Sequence, residues 1–495
     1  MCPVREENTE GIAVGSKLFG FIPRKTIHLA RLANFFGGGQ EFARQNRVLI
    51  CVMLLWYLAM FPGSLPFDSS EAIRMIQRNE SIDWWSGTYF WFLRITSLQA
   101  ETIAISSALG YLLLVVSLSY FLFSLTTISK SILKRARLIL VSTPIVSVFG
   151  LTVSHDVFII SGILLILGTN YRSYLKLITN RELFWNYIIS GILLTTTRAF
   201  PVYLVGMIIA ILLKRKVKMA AIMSVALTLF YVGSYVGIDR DKNYTFIHVL
   251  SDLKCVVQHT DTKLNQEDLK FLSQIAPMEK WKDPSQCSNI EEIVRELSPN
   301  YLMLHWNKHF VESYLRIVSK SPAILLQAKF QRSVVALPPP FFFSVPKNMV
   351  SSDLNRPIGL GTNWSLQENG PGVLHPSIDE ASVKTRFYGQ ELIRTPVLAV
   401  IYLVNQASWF WGWGGLWLWP SLLIPFILLR VERISTLLAV SYPLLILHGS
   451  IVMTGPGAQA RHLAATIIAG TSLFLVSILK TLESRKSRIS KGNLF

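Results

Sequence analysis

Charge is scarce in this chain. Only 16% of its 495 residues are Asp, Glu, Lys or Arg, and 51% are hydrophobic. Ordinary soluble domains carry about 25% charge, so that class is excluded. Acid is scarcer still: 48 Lys and Arg face 30 Asp and Glu, a net charge of +18. Such an excess suits a nucleic-acid partner until it is mapped. Residues 238–392, the most polar stretch, hold 17 basic and 17 acidic residues and are neutral. The surplus lies elsewhere, mostly in short connections between apolar runs. That is the positive-inside pattern of a membrane protein, and no nucleic acid is expected.

Cysteine is nearly absent, with four in the chain. Cys2 lies in the N-terminal tail and Cys51 in the first apolar run, leaving Cys255 and Cys287 in the 238–392 segment. If that segment is extracytoplasmic the pair is a plausible disulfide; two buried, reduced thiols are the alternative. The segment has hardly any strand-like alternation, and no internal repeat is visible along the chain. No cleavable leader is apparent either. The first apolar run follows 47 mostly polar residues and would act as an uncleaved anchor.

What is present is a series of about ten apolar runs, each approaching the ~20 residues that cross a bilayer. The expected fold is an all-α polytopic membrane protein of about ten transmembrane helices with a mainly helical extracytoplasmic domain. A cytoplasmic basic segment, 1–47, precedes an N-terminal transmembrane module, 48–237, with an outer loop at 64–100. The extracytoplasmic domain is 238–392, followed by a C-terminal transmembrane module, 393–481, and a cytoplasmic basic tail, 482–495. The first span, Val48 to Met60, is stopped by Pro62-Gly63. Ile103–Leu125, Leu138–Val153, Val157–Leu167, Phe184–Thr197, Val202–Leu213 and Met219–Gly237 then alternate in direction. Lys130 to Arg137, Arg172 to Arg181 and the run Lys214-Arg215-Lys216-Val217-Lys218 mark the inner side. Within 238–392, Leu264–Ile275, Ile290–Leu297 and His309–Val335, broken near Pro322, read as helices.

Four apolar runs remain after residue 393, and four crossings would leave the basic tail outside. Thr395–Gln406 is therefore read as interfacial or re-entrant, with Trp409, Trp411 and Trp413 at the outer headgroups and both termini inside.

This topology gathers Asp68, His155, Asp156, Arg198, Asp239, Arg461 and His462 at the outer ends of spans. Span ends simply tolerate charge, which is the plain reading of any one of them. As a set they offer more. Carboxylates supply a general base and hard oxygen ligands for a divalent cation. Arginines clamp phosphate through paired charged hydrogen bonds.

The pattern of Pro62, Gly63 and Asp68, a helix, then Asp83-Trp84-Trp85, resembles the first loop of the multi-spanning GT-C glycosyltransferases, in a bacterial branch. His155-Asp156 in the second outer loop and the stretch from Tyr314 to Pro322 extend the likeness thinly over most of the chain. The resemblance implies a plasma (inner) membrane enzyme, multi-pass, with its active site on the extracytoplasmic face. It implies an inverting transfer of sugar from a polyprenyl-phosphate-linked donor to a glycan, lipid or protein acceptor. Asp68 inherits the role of base. Asp156, with His155, assists with acceptor or metal, and Arg198 and Arg461 hold the donor phosphate. A divalent cation, Mg or Mn, is an open expectation with Asp68 and Asp156 as candidate ligands. Where such relatives carry His-Pro after the first-loop tryptophan, this chain has Trp85-Ser86, which leaves the ligand set open. A transporter or flippase of a lipid-linked saccharide is the alternative.

The parity of the basic runs gives a direct check. Reporter fusions after Arg215, Arg433 and Lys491 are expected to report cytoplasm, and one near Asn265 the opposite side. An external C-terminus would remove the ten-span arrangement.

Overall fold

The computed structural model describes residues 39–63, 65, 67–79, 86–99, 101–197, 200–212, 216–236, 238, 247–260, 264–282, 308–332, 390–406, 414–428, 434–454 and 463–492. Among these the chain is helical, with no strand. The helices are α1 (Gly39–Met60), α2 (Phe67–Gln77), α3 (Gly87–Thr96), α4 (Ala104–Phe123), α5 (Lys130–Ser142), α6 (Pro144–Leu151), α7 (Asp156–Tyr174), α8 (Asn180–Leu194), α9 (Phe200–Leu212) and α10 (Val217–Gly233). They continue as α11 (Ile247–Thr260), α12 (Gln266–Ile275), α13 (Met278–Lys282), α14 (Lys308–Ser319), α15 (Pro322–Arg332), α16 (Gln390–Gln406), α17 (Gly414–Leu428), α18 (Ile434–Thr454) and α19 (Ala464–Gly492). The chain divides into a unit of residues 1–52, whose described part is the beginning of α1, and a unit of residues 53–495.

Among the described residues three helices are long and apolar enough to cross a membrane: Ala104–Phe123, Asp156–Tyr174 and Ala464–Lys486. At about 1.5 Å per residue, ~20 residues span the ~30 Å hydrocarbon layer. The apolar helices α9, α10 and α17 are shorter, at 13, 17 and 15 residues. Several of these helices leave apolar side chains on the outside, including Leu109, Leu112, Ile189, Val205, Val225 and Leu229. Such faces cost free energy in water and none in lipid.

Small residues set the close packing of α4, α6 and α7. A methyl added at Gly110 of α4 would lie 3.2 Å from the Gly150 carbonyl of α6. One added at Gly168 of α7 would lie 2.8 Å from the Tyr120 ring and 3.2 Å from the Phe121 Cα. Without a hydrophobic drive between helices in lipid, such close backbone approach supplies much of the attraction.

One element differs from expectation. Leu138–Val153 is not one crossing helix, because α5 ends at Ser142 and α6 restarts at Pro144. Proline forbids the helical conformation to its predecessor, so Thr143 is extended (ψ 146°) and Pro144 takes the first helical position, where its missing N–H costs nothing. The last helix, α19, runs from Ala464 through the basic tail to Gly492.

Helices α11 to α15 have their own core, in which Leu253, Val257, Phe271, Leu272, Trp281 and Ile317 are buried together. The Trp281 indole N–H donates to the Leu272 and Ala276 carbonyls at 3.1 and 3.2 Å, so the ring is buried without an orphaned donor. The break near Pro322 falls between α14 and α15 as expected. Cys255 is fully buried and disulfide-bonded, whereas Cys51 is free. Cys287 lies outside the described residues, as do Ile290–Leu297 and Trp409 to Trp413.

Two buried carboxylates tie this core together. Asp252 accepts from the Tyr314 hydroxyl at 3.0 Å and the Lys329 ammonium at 2.9 Å. Asp268 caps the start of α12 reciprocally with Asn265 and receives Arg316 Nε at 2.8 Å and the Lys320 ammonium. Burial alone would raise the Asp268 carboxyl, but the Lys320 and Arg316 hydrogen bonds outweigh it and hold it below the ordinary value. Its stabilisation is therefore complete above the unfolded value of about 3.9 and is lost as pH falls through the lower folded value.

Hydrogen exchange of the α12 amides is expected to be independent of pH-driven opening down to about pH 4–5 and to show increased opening below it. Asp268→Asn is expected to remove that acid dependence. Its cost should fall somewhat below the ~3–5 kcal/mol of a fully buried broken pair, because Lys320 and Arg316 keep contact with water. Unchanged acid dependence in the Asn variant would remove Asp268 as its source.

Candidate functional site

The site is built on the end of α1. The Pro62-Gly63 turn closes with the Gly63 amide on the Met60 carbonyl at 2.7 Å. Gly63 has φ +124°, a conformation that side chains with a Cβ rarely adopt. Space forbids one as well: an added Cβ would lie 2.6 Å from Ser107 Cβ and 3.0 Å from the Leu151 carbonyl. Ser107 of α4 also donates its hydroxyl to the Pro62 carbonyl at 2.6 Å.

The last carbonyls of any helix lack intrahelical donors. Here Gln390, the first residue of α16, supplies them. Its buried side-chain amide donates to the Phe61 carbonyl at 2.8 Å and approaches those of Leu58 and Ala59 at 3.2 and 3.3 Å. The turn is thus fixed by α4, by the end of α6 and by α16.

From this turn the chain enters α2, whose second residue is Asp68. The description of Asp68 stops at its backbone. The next residue, Ser69, is fully buried, with its hydroxyl 2.8 Å from that of Tyr89 on α3. Tyr89 Oη donates to the Val153 carbonyl at 3.0 Å, which orients the shared proton so that Ser69 donates to Tyr89. Val153 leads directly into Ser154-His155-Asp156, and the Tyr89 ring stands edge-on to His155, 5.7 Å between centroids. One tyrosine therefore touches both the turn carrying Asp68 and the loop carrying His155 and Asp156.

Asp156 opens α7, where the helix dipole favours a negative charge. Its side chain is nearly buried. Ser154 donates its hydroxyl to Asp156 Oδ2 at 2.7 Å, and His155 Nε2 lies 3.5 Å from Oδ1. The other imidazole nitrogen, His155 Nδ1, is buried without a hydrogen-bond partner. An imidazole with one nitrogen beside a carboxylate and the other unsatisfied is equipped to exchange a hydrogen bond with a ligand.

Of the other residues expected here, Arg198, Asp239, Arg461 and His462 lie outside the described residues, as does Trp84-Trp85. One group was missed. Arg394 lies one turn beyond Gln390 on the same face of α16 and is 3% exposed. The signal was present: Gln390, Arg394, Val397 and Ile401 follow a helical period, and all four are buried. A polar pair heading an otherwise apolar stripe marks a helix end that reaches a polar site.

Among the described residues no three His, Cys, Asp or Glu side chains form a metal-binding group. His155 and Asp156 supply one imidazole and one carboxylate, short of the six or more oxygens a hard divalent cation prefers. Compared with family models, with curated proteins and with solved structures, the chain matches none.

The turn geometry makes a contrast between two glycines. Gly63→Ala meets strain and collision together, and a loss of about 1–3 kcal/mol is expected. Gly449→Ala lies within α18 with nothing within 4 Å of an added methyl, and a gain of about 0.5–1 kcal/mol is expected. Thermal midpoints of the detergent-solubilised variants should move in opposite directions. A neutral Gly63→Ala would mean that the turn is not fixed as described.

Proposed function

We propose that the chain is an inverting glycosyltransferase of the plasma membrane, with about ten spans and its site at the extracytoplasmic face. It moves a sugar from a polyprenyl-phosphate-linked donor to an acceptor hydroxyl. The observation that carries the reading is the Tyr89 bridge, which joins the helix of Asp68 to the loop of His155 and Asp156. Two acids far apart in sequence then belong to one structural unit at a helix end, the arrangement that general-base transfer requires.

In this reading Asp68 accepts the proton of the acceptor hydroxyl. The oxygen so freed attacks the anomeric carbon, and the bond from that carbon to the lipid phosphate breaks with its electron pair on the phosphate oxygen. Asp156, held by Ser154 and His155, orients the acceptor. His155 Nδ1 offers a further hydrogen bond to the sugar or phosphate. Arg198 and Arg461 stabilise the departing phosphate, and the buried charge of Arg394 on α16 adds a third candidate. Charge stabilisation of this kind is worth as much as the base, roughly 10²–10³ in rate per donor.

A transporter of the same lipid-linked saccharide is the second reading, favoured by one feature. Asn170 of α7 donates its amide to the Val440 carbonyl of α18 at 2.8 Å and accepts from the Tyr187 hydroxyl of α8 at 2.6 Å. Buried polar links between apolar helices also occur along transport paths.

Transfer from a lipid-linked donor by purified protein separates the two. Asp68→Asn keeps size and hydrogen bonding but cannot take up a proton, and a loss of at least ~100-fold is expected at unchanged abundance. Tyr89→Phe keeps the ring against His155 while removing the shared hydroxyl. It should lower transfer by up to about 30-fold, the equivalent of two modest hydrogen bonds of ~1 kcal/mol each. Wild-type turnover in the Asn variant, or donor movement across vesicles without transfer, would overturn the enzyme reading.

A further inference from the structure

Away from that site, a cleft of about 580 Å³ opens between the N-terminal ends of α8 and α10. The two helices run in the same direction. In their C-terminal halves they touch closely: a methyl added at Gly191 would lie 2.4 Å from Leu227. They diverge toward their N-termini, and the gap is lined by Asn180 and Phe184 on one side and Lys216, Lys218, Met219 and Ile222 on the other. Its volume lies within the roughly 300–1,000 Å³ of small-ligand sites.

The two kinds of lining residue are separated. Phe184, Met219 and Ile222 are apolar, and Ile222 is 49% exposed, which suits contact with an acyl chain. Lys216 and Lys218 line the cleft and both are exposed. They belong to the basic run 214–218. No acidic residue lines the cleft. The nearest acid on α8, Glu182, is engaged by Thr179 in a capping box. Across the gap, α10 starts at Val217, and its N-cap residue Lys216 makes no side-chain cap hydrogen bond.

We infer that this cleft binds an anionic phospholipid, with its headgroup phosphate on Lys216 and Lys218 and one acyl chain along Phe184, Met219 and Ile222. Charge complementarity and the apolar floor together specify that occupant. A free phosphate would use only the lysines, and a neutral lipid only the floor. The inference does not depend on the glycosyltransferase reading. It requires only that α8 and α10 contact the bilayer.

The test is native mass spectrometry of the full-length protein after exchange into phosphatidylcholine discs containing phosphatidylglycerol. Wild type is expected to retain phosphatidylglycerol selectively. Lys216→Gln with Lys218→Gln should weaken retention about 30-fold, at roughly fivefold for each lysine near an anionic lipid surface. Lys130→Gln with Lys134→Gln removes the same charge from α5 and should retain the lipid. Ile222→Asn should weaken retention while leaving the lysines in place. Three results would each overturn the inference: equal loss in both lysine pairs, no loss in the 216/218 pair, or displacement of the lipid by excess inorganic phosphate. All the substituted residues are exposed, and thermal midpoints equal to wild type would verify folding of the variants.

Discussion

The Tyr89 hydroxyl is the point on which the candidate-site end of the helical bundle depends. It sits in a fully buried position, where an unsatisfied donor or acceptor would cost about 1–3 kcal/mol. Its two partners come from opposite sides of the site, Ser69 in α2 and the Val153 carbonyl before α7. Neither contact can be released without exposing another buried polar group, so α2, α3 and the loop before α7 hold one relative arrangement. Phenylalanine would fill the space yet leave Ser69 and Val153 to find other partners. The tyrosine thus acts as a geometric constraint more than as a source of net stability.

Much of this was legible in the sequence where local chemistry fixes structure. Pro62-Gly63 stops α1, Pro322 separates α14 from α15, and His155-Asp156 opens a helix with acid at its positive end. The roles of Gln390 and Arg394 were not legible. Gln390 acts on a carbonyl 329 residues away in sequence, and nothing near it in the chain announces that partner. The break at Thr143 was hidden for a different reason. Leu138–Val153 is apolar throughout, so hydropathy carries no information about the interruption, although Pro144 alone was sufficient to indicate it.

The molecule handles buried charge differently in its two settings. In the core of α11 to α15, Asp252 and Asp268 are surrounded by lysine and arginine whose aliphatic stems cover them and whose heads reach water. Between the apolar helices, polar links are mainly of amides and hydroxyls: Asn170 with Tyr187, Tyr111 with Ser147. In a medium with no water to solvate an ion, amide and hydroxyl pairs give directional contact without the desolvation of a charge. The candidate site lies where this pattern breaks, with Asp156 and Arg394 both buried.

The cap that Gln390 places on α1 has a consequence for how the protein is made. Synthesis proceeds at about 5–20 residues per second, and the capping amide is encoded 329 residues after the carbonyl it reaches. The end of the first helix therefore waits roughly 15–65 seconds for its partner. During that interval its terminal carbonyls must be solvated by water, headgroups or the insertion machinery. That end of the nascent bundle is consequently open to solvent until the last third of the chain arrives, and assembly of the site is among the final events of biogenesis.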